Sequence, residues 1–251
     1  MVAPNPVAFS IFGIDVMWYG TLIGLGFMLA VLISYRRAPK FDIDPDFILT
    51  LTIVIIPCAI IGARLYYVIF SWDNYAGDLM KILNIREGGL AIHGGLILSF
   101  IAGYFLCRKY NESFLNAADL VAPAIALAQS IGRWGNFFNE EAHGGVTDLP
   151  WAQIINGVGY HPTFLYESIW CFILFIFLMY WSNSKRSFNG QIICMYGMLY
   201  SFERFFVEGL RTDSLMFGPL RQAQLISLVI FAGCAVLYYF LRKKALNNTQ
   251  M

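Results

Sequence analysis

Residues Gly132-Arg133-Trp134-Gly135-Asn136-Phe137-Phe138-Asn139-Glu140-Glu141 close an apolar segment that opens near residue 116. One arginine, two asparagines and two glutamates crowd into the end of a stretch that otherwise reads as lipid-embedded helix. A charge at the bilayer centre costs roughly 2.5 to 3.5 kcal/mol on translocon-insertion scales. Sequences avoid that cost unless the charge faces a cavity, finds a partner or sits near the headgroups. This run marks a junction between membrane and polar chemistry.

The rest of the chain supports a membrane reading. Of its 251 residues 58% are hydrophobic and only 13% are charged, against roughly 45–50% and 25% in a typical soluble domain. A span needs about 20 mostly apolar residues. Stretches that meet this need lie at 16–35, 46–70, 89–107, 116–132, 162–182, 190–207 and 221–241. The expected fold is an all-α polytopic membrane protein of about seven transmembrane helices, with 1–251 forming a single integral membrane domain. The N-terminal stretch Met1 to Asp15 has no basic n-region or small-residue cleavage pattern, so no removable signal peptide is expected. Cys58, Cys107, Cys171, Cys194 and Cys234 lie in or at the ends of apolar runs without C-x-x-C spacing and read as small buried hydrophobes.

Basic residues test the span count independently, because cytoplasmic loops collect Lys and Arg. Arg36, Arg37 and Lys40 follow the first span, Arg108 and Lys109 the third, Lys185 and Arg186 the fifth, and Arg242, Lys243 and Lys244 the last. The alternation places the N-terminus outside and the C-terminus in the cytoplasm, which requires an odd number of spans. Arg64, Lys81, Arg86, Arg133, Arg204, Arg211 and Arg221 then fall within spans or on the outer side. A protein that keeps arginines there has a use for them.

Four polar clusters map to that outer half. His93 is framed by Gly88-Gly89 and Gly94-Gly95 at the start of a span, where backbone N–H groups are unsatisfied and favour anions; a histidine bonded for packing is the alternative. In the 132–141 run, Arg133 offers a planar fork suited to phosphate or carboxylate. Asn136 and Asn139 would share a helix face, to orient that fork or bind ligand oxygens; the plainer alternative is an Arg133–Glu141 ion pair holding a loop. Tyr200, Arg204, Glu208 and Arg211 fall on one helical face, which must point to the bundle interior or the headgroups, with Glu203 off it. His161-Pro162-Thr163-Phe164-Leu165-Tyr166-Glu167 opens the fifth span, its carboxylate favoured by the helix dipole, with a structural or supporting role. The His and Glu spacings match no metal signature and the arginines would repel a cation, so no metal site is expected. Outer-side arginines on different spans instead suit an anionic ligand such as a phospholipid headgroup.

His93-Gly94-Gly95, Gly132-Arg133-x-Gly135-Asn136-Phe137-x-Asn139 through Glu141 and Gly144, His161-Pro162 with Tyr166-Glu167, and Tyr200-x-x-x-Arg204-x-x-x-Glu208 with Arg211 together resemble the bacterial phosphatidylglycerol–prolipoprotein diacylglyceryl transferases. Trp18-Tyr19-Gly20 fits that family's first span. The resemblance runs in order from about residue 15 to 240. It implies seven spans in the bacterial cytoplasmic (inner) membrane, with an active site toward the outer leaflet. It also implies transfer of the diacylglyceryl group of phosphatidylglycerol to the thiol of a lipobox cysteine in a preprolipoprotein signal peptide. A thioether forms and glycerol phosphate departs. No cofactor and no nucleic-acid partner are implied.

On this resemblance the catalytic set is His93, Arg133, Tyr200, Arg204 and Glu208. Substrate contacts fall to Arg133, Asn136, Asn139, Glu141, Gly144, Arg211 and Tyr19. Arg133 and Arg204 can hold the departing phosphate, and His93 is the candidate base for a thiol that is mostly protonated at neutral pH. A rival assignment uses Glu208 or Tyr200, with a nearby arginine lowering the thiol pKa. Substrates that live in the bilayer favour a cavity open to lipid. The competing class is a small transporter or flippase, whose helices carry midplane charges and internal repeats; no repeat is evident, and the polar groups bunch at one side. A seven-span receptor shares only the topology.

Overall fold

The computed structural model describes residues 1–85, 88–212 and 216–249, and Arg86 lies outside the described residues. In chain order the elements are β1 (Val7–Ile11), β2 (Ile14–Met17), α1 (Trp18–Arg37), α2 (Pro45–Phe70), α3 (Leu79–Leu83), α4 (Ile92–Lys109) and α5 (Phe114–Phe138). There follow β3 (Gln153–Ile155), β4 (Val158–Tyr160), α6 (Thr163–Ser184), α7 (Gln191–Leu210), β5 (Met216–Phe217), β6 (Leu220–Arg221) and α8 (Gln222–Thr249). Helix dominates, as the apolar runs predict. The departure from an all-α fold is three two-stranded antiparallel ribbons in the connections. One of them, β3–β4, turns on Asn156-Gly157, both at positive φ; this dipeptide is the commonest signal for a tight hairpin.

Among the described residues, five helical stretches are long and apolar enough to cross a membrane: Trp18–Phe41, Pro45–Phe70, Phe114–Phe138, Thr163–Ser184 and Gln222–Asn247. Helices α4 and α7 lie at the other two expected positions and fall short of that mark. Helix α7 carries Glu203, Arg204 and Glu208. Helix α5 runs through Phe138 rather than ending at residue 132. The polar run is its last turns, because helical hydrogen bonding continues after hydrophobicity stops.

The chain divides into two compact units. Unit 2, Tyr35–Ala117, is built on the α2–α4 pair. Asp44 caps α2 by accepting from the Asp46 N–H at 2.9 Å, with Pro45 in the first helical position. Gly62 and Gly94 face each other so closely that a Cβ on either would strike the other's carbonyl, and a Cβ on Gly95 would meet the Ala59 carbonyl oxygen at 2.9 Å. Small residues let membrane helices approach this way and gain dispersion contact.

The same unit explains one inner arginine. Arg64 is buried, and its guanidinium donates to the carbonyls of Ile82 (2.8 Å), Gly88 (2.8 Å), Gly89 (3.0 Å), Lys81 (2.7 Å) and Asn84 (2.9 Å). The Tyr75 ring lies 4.9 Å from its Cζ. The charge binds backbone, drawing the α3 segment onto α2.

Unit 1, Met1–Ser34 with the chain from Ala118 onward, packs α5, α6 and α7 around Ala122, Ala126, Leu174, Leu178 and Ile192. Helix α8 lies along α7, and Gly26 of α1 meets Ala128 of α5. Asp119 ties one end of this bundle: fully buried, it accepts from Arg186 Nε (2.9 Å) and the backbone N–H groups of Gly190 and Ile193 (both 2.8 Å). The other end holds the candidate site.

Candidate active site

Glu167 stands in the first turns of α6 with a side chain only 2% exposed. Two arginines converge on it. Arg133 of α5 brings Nη1 to 2.9 Å from Oε2, and Arg204 of α7 brings Nη1 to 2.5 Å from Oε1. The second Arg204 nitrogen pairs with Glu208 Oε2 at 2.6 Å, one helical turn on. Arg133 Nη2 donates to the Tyr200 hydroxyl at 3.2 Å. Tyr200 stacks on Tyr196, which donates to Gln129 at 2.8 Å. Two positive and two negative groups balance here. Yet the arginine side chains remain 20% and 17% exposed while the carboxylates are almost sealed. Each arginine is neutralised on its carboxylate side and part-exposed elsewhere, a socket whose guanidinium chemistry suits an anion.

Packing fixes the rotamers beneath this socket. Ser130 and Ser168 each donate to the other's carbonyl at 2.8 Å, and Trp134 Nε1 donates to Ser168 Oγ at 3.0 Å. These bonds set the α5–α6 register that aligns Arg133 with Glu167. Helix α8 supports α7 through Gln224 donating to the Phe205 carbonyl at 3.1 Å, with Arg221 donating to the Glu208 carbonyl at 2.7 Å. Glu203, the residue before Arg204, is buried, and neither of its carboxylate oxygens has a hydrogen-bond partner among the described residues. It lies within electrostatic reach of Arg133, Arg204 and Glu167.

A second layer is made by the end of α5 and the loop after it. Glu141 Oε1 accepts from Asn136 Nδ2 at 2.8 Å and from Asn139 Nδ2 at 3.4 Å. The asparagines therefore fasten Glu141 rather than the Arg133 fork, and the Arg133–Glu141 pair is replaced by Arg133–Glu167. Tyr19 lies over Gly135, where a Cβ would come within 2.5 Å of its ring. Trp18 stacks on Phe138 with centroids 5.1 Å apart. Asn139, Glu140 and Glu141, with Phe138, Met17 and Ala3 to Pro6, line a cavity of about 590 Å³.

Gly144 and Arg211 meet in a third place. Gly144 N donates to the His161 carbonyl at 2.9 Å, Gly145 N to the Leu210 carbonyl at 3.1 Å, and Gly144 bridges Arg211. A Cβ on Gly144 would crowd His161 at 2.7 Å, so only glycine fits. Arg211 does not extend the helical face of Tyr200, Arg204 and Glu208. Helix α7 ends at Leu210, and Arg211 is its extended cap residue. Thr163 Oγ1 donates to the Ala142 carbonyl, tying the same loop to the start of α6.

His93 lies in unit 2, exposed in the first turn of α4, with its ring centroid 6.1 Å from that of Tyr66. Among the described residues no group of three or more His, Cys, Asp or Glu side chains converges as a metal site. Sequence reasoning gave Glu167 a structural or supporting role without naming its partners, which stand far away in the chain. The one available signal was a carboxylate set inside an apolar helix, where charge is retained only with a partner.

Comparison with known proteins bears on what this socket receives. The family described as Prolipoprotein diacylglyceryl transferase matches residues 6–240. The phosphatidylglycerol–prolipoprotein diacylglyceryl transferase of Clostridioides difficile (strain 630) is 52% identical over 242 residues, covering 96% of this chain and 97% of that protein. The protein of the same name from Finegoldia magna (strain ATCC 29328 / DSM 20472 / WAL 2508) is 50% identical, with 97% and 98% covered. That from Clostridium novyi (strain NT) is 51% identical, with 90% and 91% covered.

Proposed function

We propose a mechanism from one premise: the chain belongs to the prolipoprotein diacylglyceryl transferase family. It is a membrane enzyme that transfers the diacylglyceryl group of phosphatidylglycerol to a prolipoprotein. The acceptor is the thiol of a lipobox cysteine. Its sulfur attacks the glycerol sn-3 carbon, an S–C bond forms, the C–O bond to phosphate breaks, and glycerol phosphate leaves. The thiol proton passes to a base, for which His93 is the candidate and Glu208 or Tyr200 the rivals. No cofactor enters this balance.

The observation that carries the reading is the shared hold of Arg133 and Arg204 on Glu167, with part of each arginine exposed. A lipid phosphate can replace one carboxylate contact and receive both forks, since guanidinium matches phosphate and carboxylate alike. The growing charge on the departing phosphate is then met by donors already in place, which is where such stabilisation is most effective. Asn136, Asn139, Glu141, Gly144, Arg211 and Tyr19 shape the substrate contacts around this centre. The chain acts as one integral domain of seven spans in the bacterial inner membrane. Its N-terminus and socket face the outer leaflet, and the socket opens sideways to lipid.

The test is a purified-protein assay in liposomes, with glycerol-labelled phosphatidylglycerol and a lipobox peptide. Wild type should place label on the peptide cysteine, and Arg133→Ala should lower the rate by about 10²–10³. Transfer that survives in Arg133→Ala would keep the enzyme and overturn this site. Near-normal turnover of His93→Gln across neutral pH would remove His93 as the base.

A further inference from the structure

The β1–β2 ribbon has no part in the chemistry above, yet it is built with two unlike faces. Its register pairs Ser10 with Asp15, Ile11 with Ile14 and Phe9 with Val16. Alternation along each strand puts Ser10 and Asp15 on one side, joined by a 2.5 Å hydrogen bond. Phe9, Ile11, Ile14 and Val16 share the other. Phe9 is 48% exposed, Ile11 50% and Ile14 72%, while Phe12 at the turn is fully exposed. Phe12 and Gly13 both have positive φ, the requirement of a tight two-residue hairpin turn. Asn or Gly would adopt that conformation more easily than a bulky aromatic. A solitary two-stranded hairpin is marginal in water. This one keeps its largest apolar groups away from protein.

The position of the ribbon says what covers those groups. Strand β2 runs without a break into α1, an apolar helix long enough to cross the membrane, and the Trp18 N–H donates to the Pro6 carbonyl at 2.9 Å. The ribbon base is thus held at the plane where α1 enters lipid. The same base, through Ala3 to Pro6 and Met17, walls the cavity that contains Asn139, Glu140 and Glu141. We propose that the ribbon is a membrane-docking element: Phe12 and the Phe9–Ile11–Ile14 face sit in the interfacial layer of the leaflet where α1 begins, fixing that cavity at headgroup depth. The face with Ser10 and Asp15 stays in water. Aromatic and aliphatic side chains beside a polar face favour this layer.

Tryptophan placed at single positions reads the depth. Phe12→Trp, Ile14→Trp and Ser10→Trp variants of the full chain would be reconstituted in phosphatidylglycerol-containing vesicles without peptide. Their emission is taken as a difference from wild type. Phe12→Trp and Ile14→Trp should shift to shorter wavelength and be quenched by lipids brominated near the carbonyl end of the acyl chain. Ser10→Trp should be quenched by aqueous iodide instead. Equal iodide quenching at all three positions would overturn the proposal. So would lipid-like protection that arises only after a lipobox peptide is added, which would give the face to the protein substrate. None of these variants touches the arginine socket, so a failed transfer mechanism and a failed docking element give different results.

Discussion

Two buried carboxylates, Asp119 and Glu167, tie the same three-helix core of α5, α6 and α7 at opposite ends. Asp119 and Arg133 are separated by about 21 Å of continuous helix. Asp119 accepts from two backbone N–H groups, which cannot leave, and from one arginine. Among the described residues, Glu167 accepts only from arginine side chains that are themselves part-exposed. Both carboxylates meet the requirement that a buried charge be paired. Only the second does so with partners able to turn to another anion. The source of the hydrogen bonds, backbone or side chain, separates a permanent knot from an exchangeable one.

That contrast breaks if the wrong end proves catalytic. Asp119→Asn should cost about 3–5 kcal/mol of stability, because Arg186 loses its buried counter-charge. Turnover per folded molecule should stay near wild type. Unfolding in detergent and rate per active molecule measure the two sides. A large turnover defect in protein shown to be folded would erase the distinction.

Arg204→Lys sharpens it from the other end. Lysine keeps the charge but not the fork that reaches Glu167 and Glu208 together. Transfer should fall on the order of 10²-fold, with a smaller loss of stability than at Asp119. Equal activity of the lysine variant would mean that charge alone suffices. Glu203→Gln should have the smallest effect. Its carboxylate oxygens have no hydrogen-bond partner to lose among the described residues, so the folded state should change by less than about 1 kcal/mol or gain. A marked loss of stability would show that Glu203 holds the socket together.

The long helices were legible because bilayer thickness imposes length and apolarity together. Most helix limits fall within a few residues of the apolar runs. The exceptions, the ends of α5 and α8, show why: hydropathy reports where lipid ends, whereas hydrogen bonding decides where helix ends. Arg133, Tyr200, Arg204 and Glu208 stood out as polar residues in apolar company. The pairing of Glu167 with Arg133 and Arg204 did not, since it joins residues on three helices and depends on their register. Arg211 was misplaced for a simpler cause: helical spacing was extended one residue past the helix. The short ribbons carry little periodicity, and none of them was expected from the sequence.

The Arg64 arrangement resembles a crown ether closed around a cation more than a salt bridge. The carbonyl dipoles of Lys81, Ile82, Asn84, Gly88 and Gly89 supply the ring, and the guanidinium of Arg64 supplies the guest. The acceptors are backbone carbonyls rather than carboxylates, and burial shields the guanidinium from salt. The hold of α2 on α3 and on Gly88 and Gly89 should therefore persist across changes in ionic strength that any surface ion pair would register.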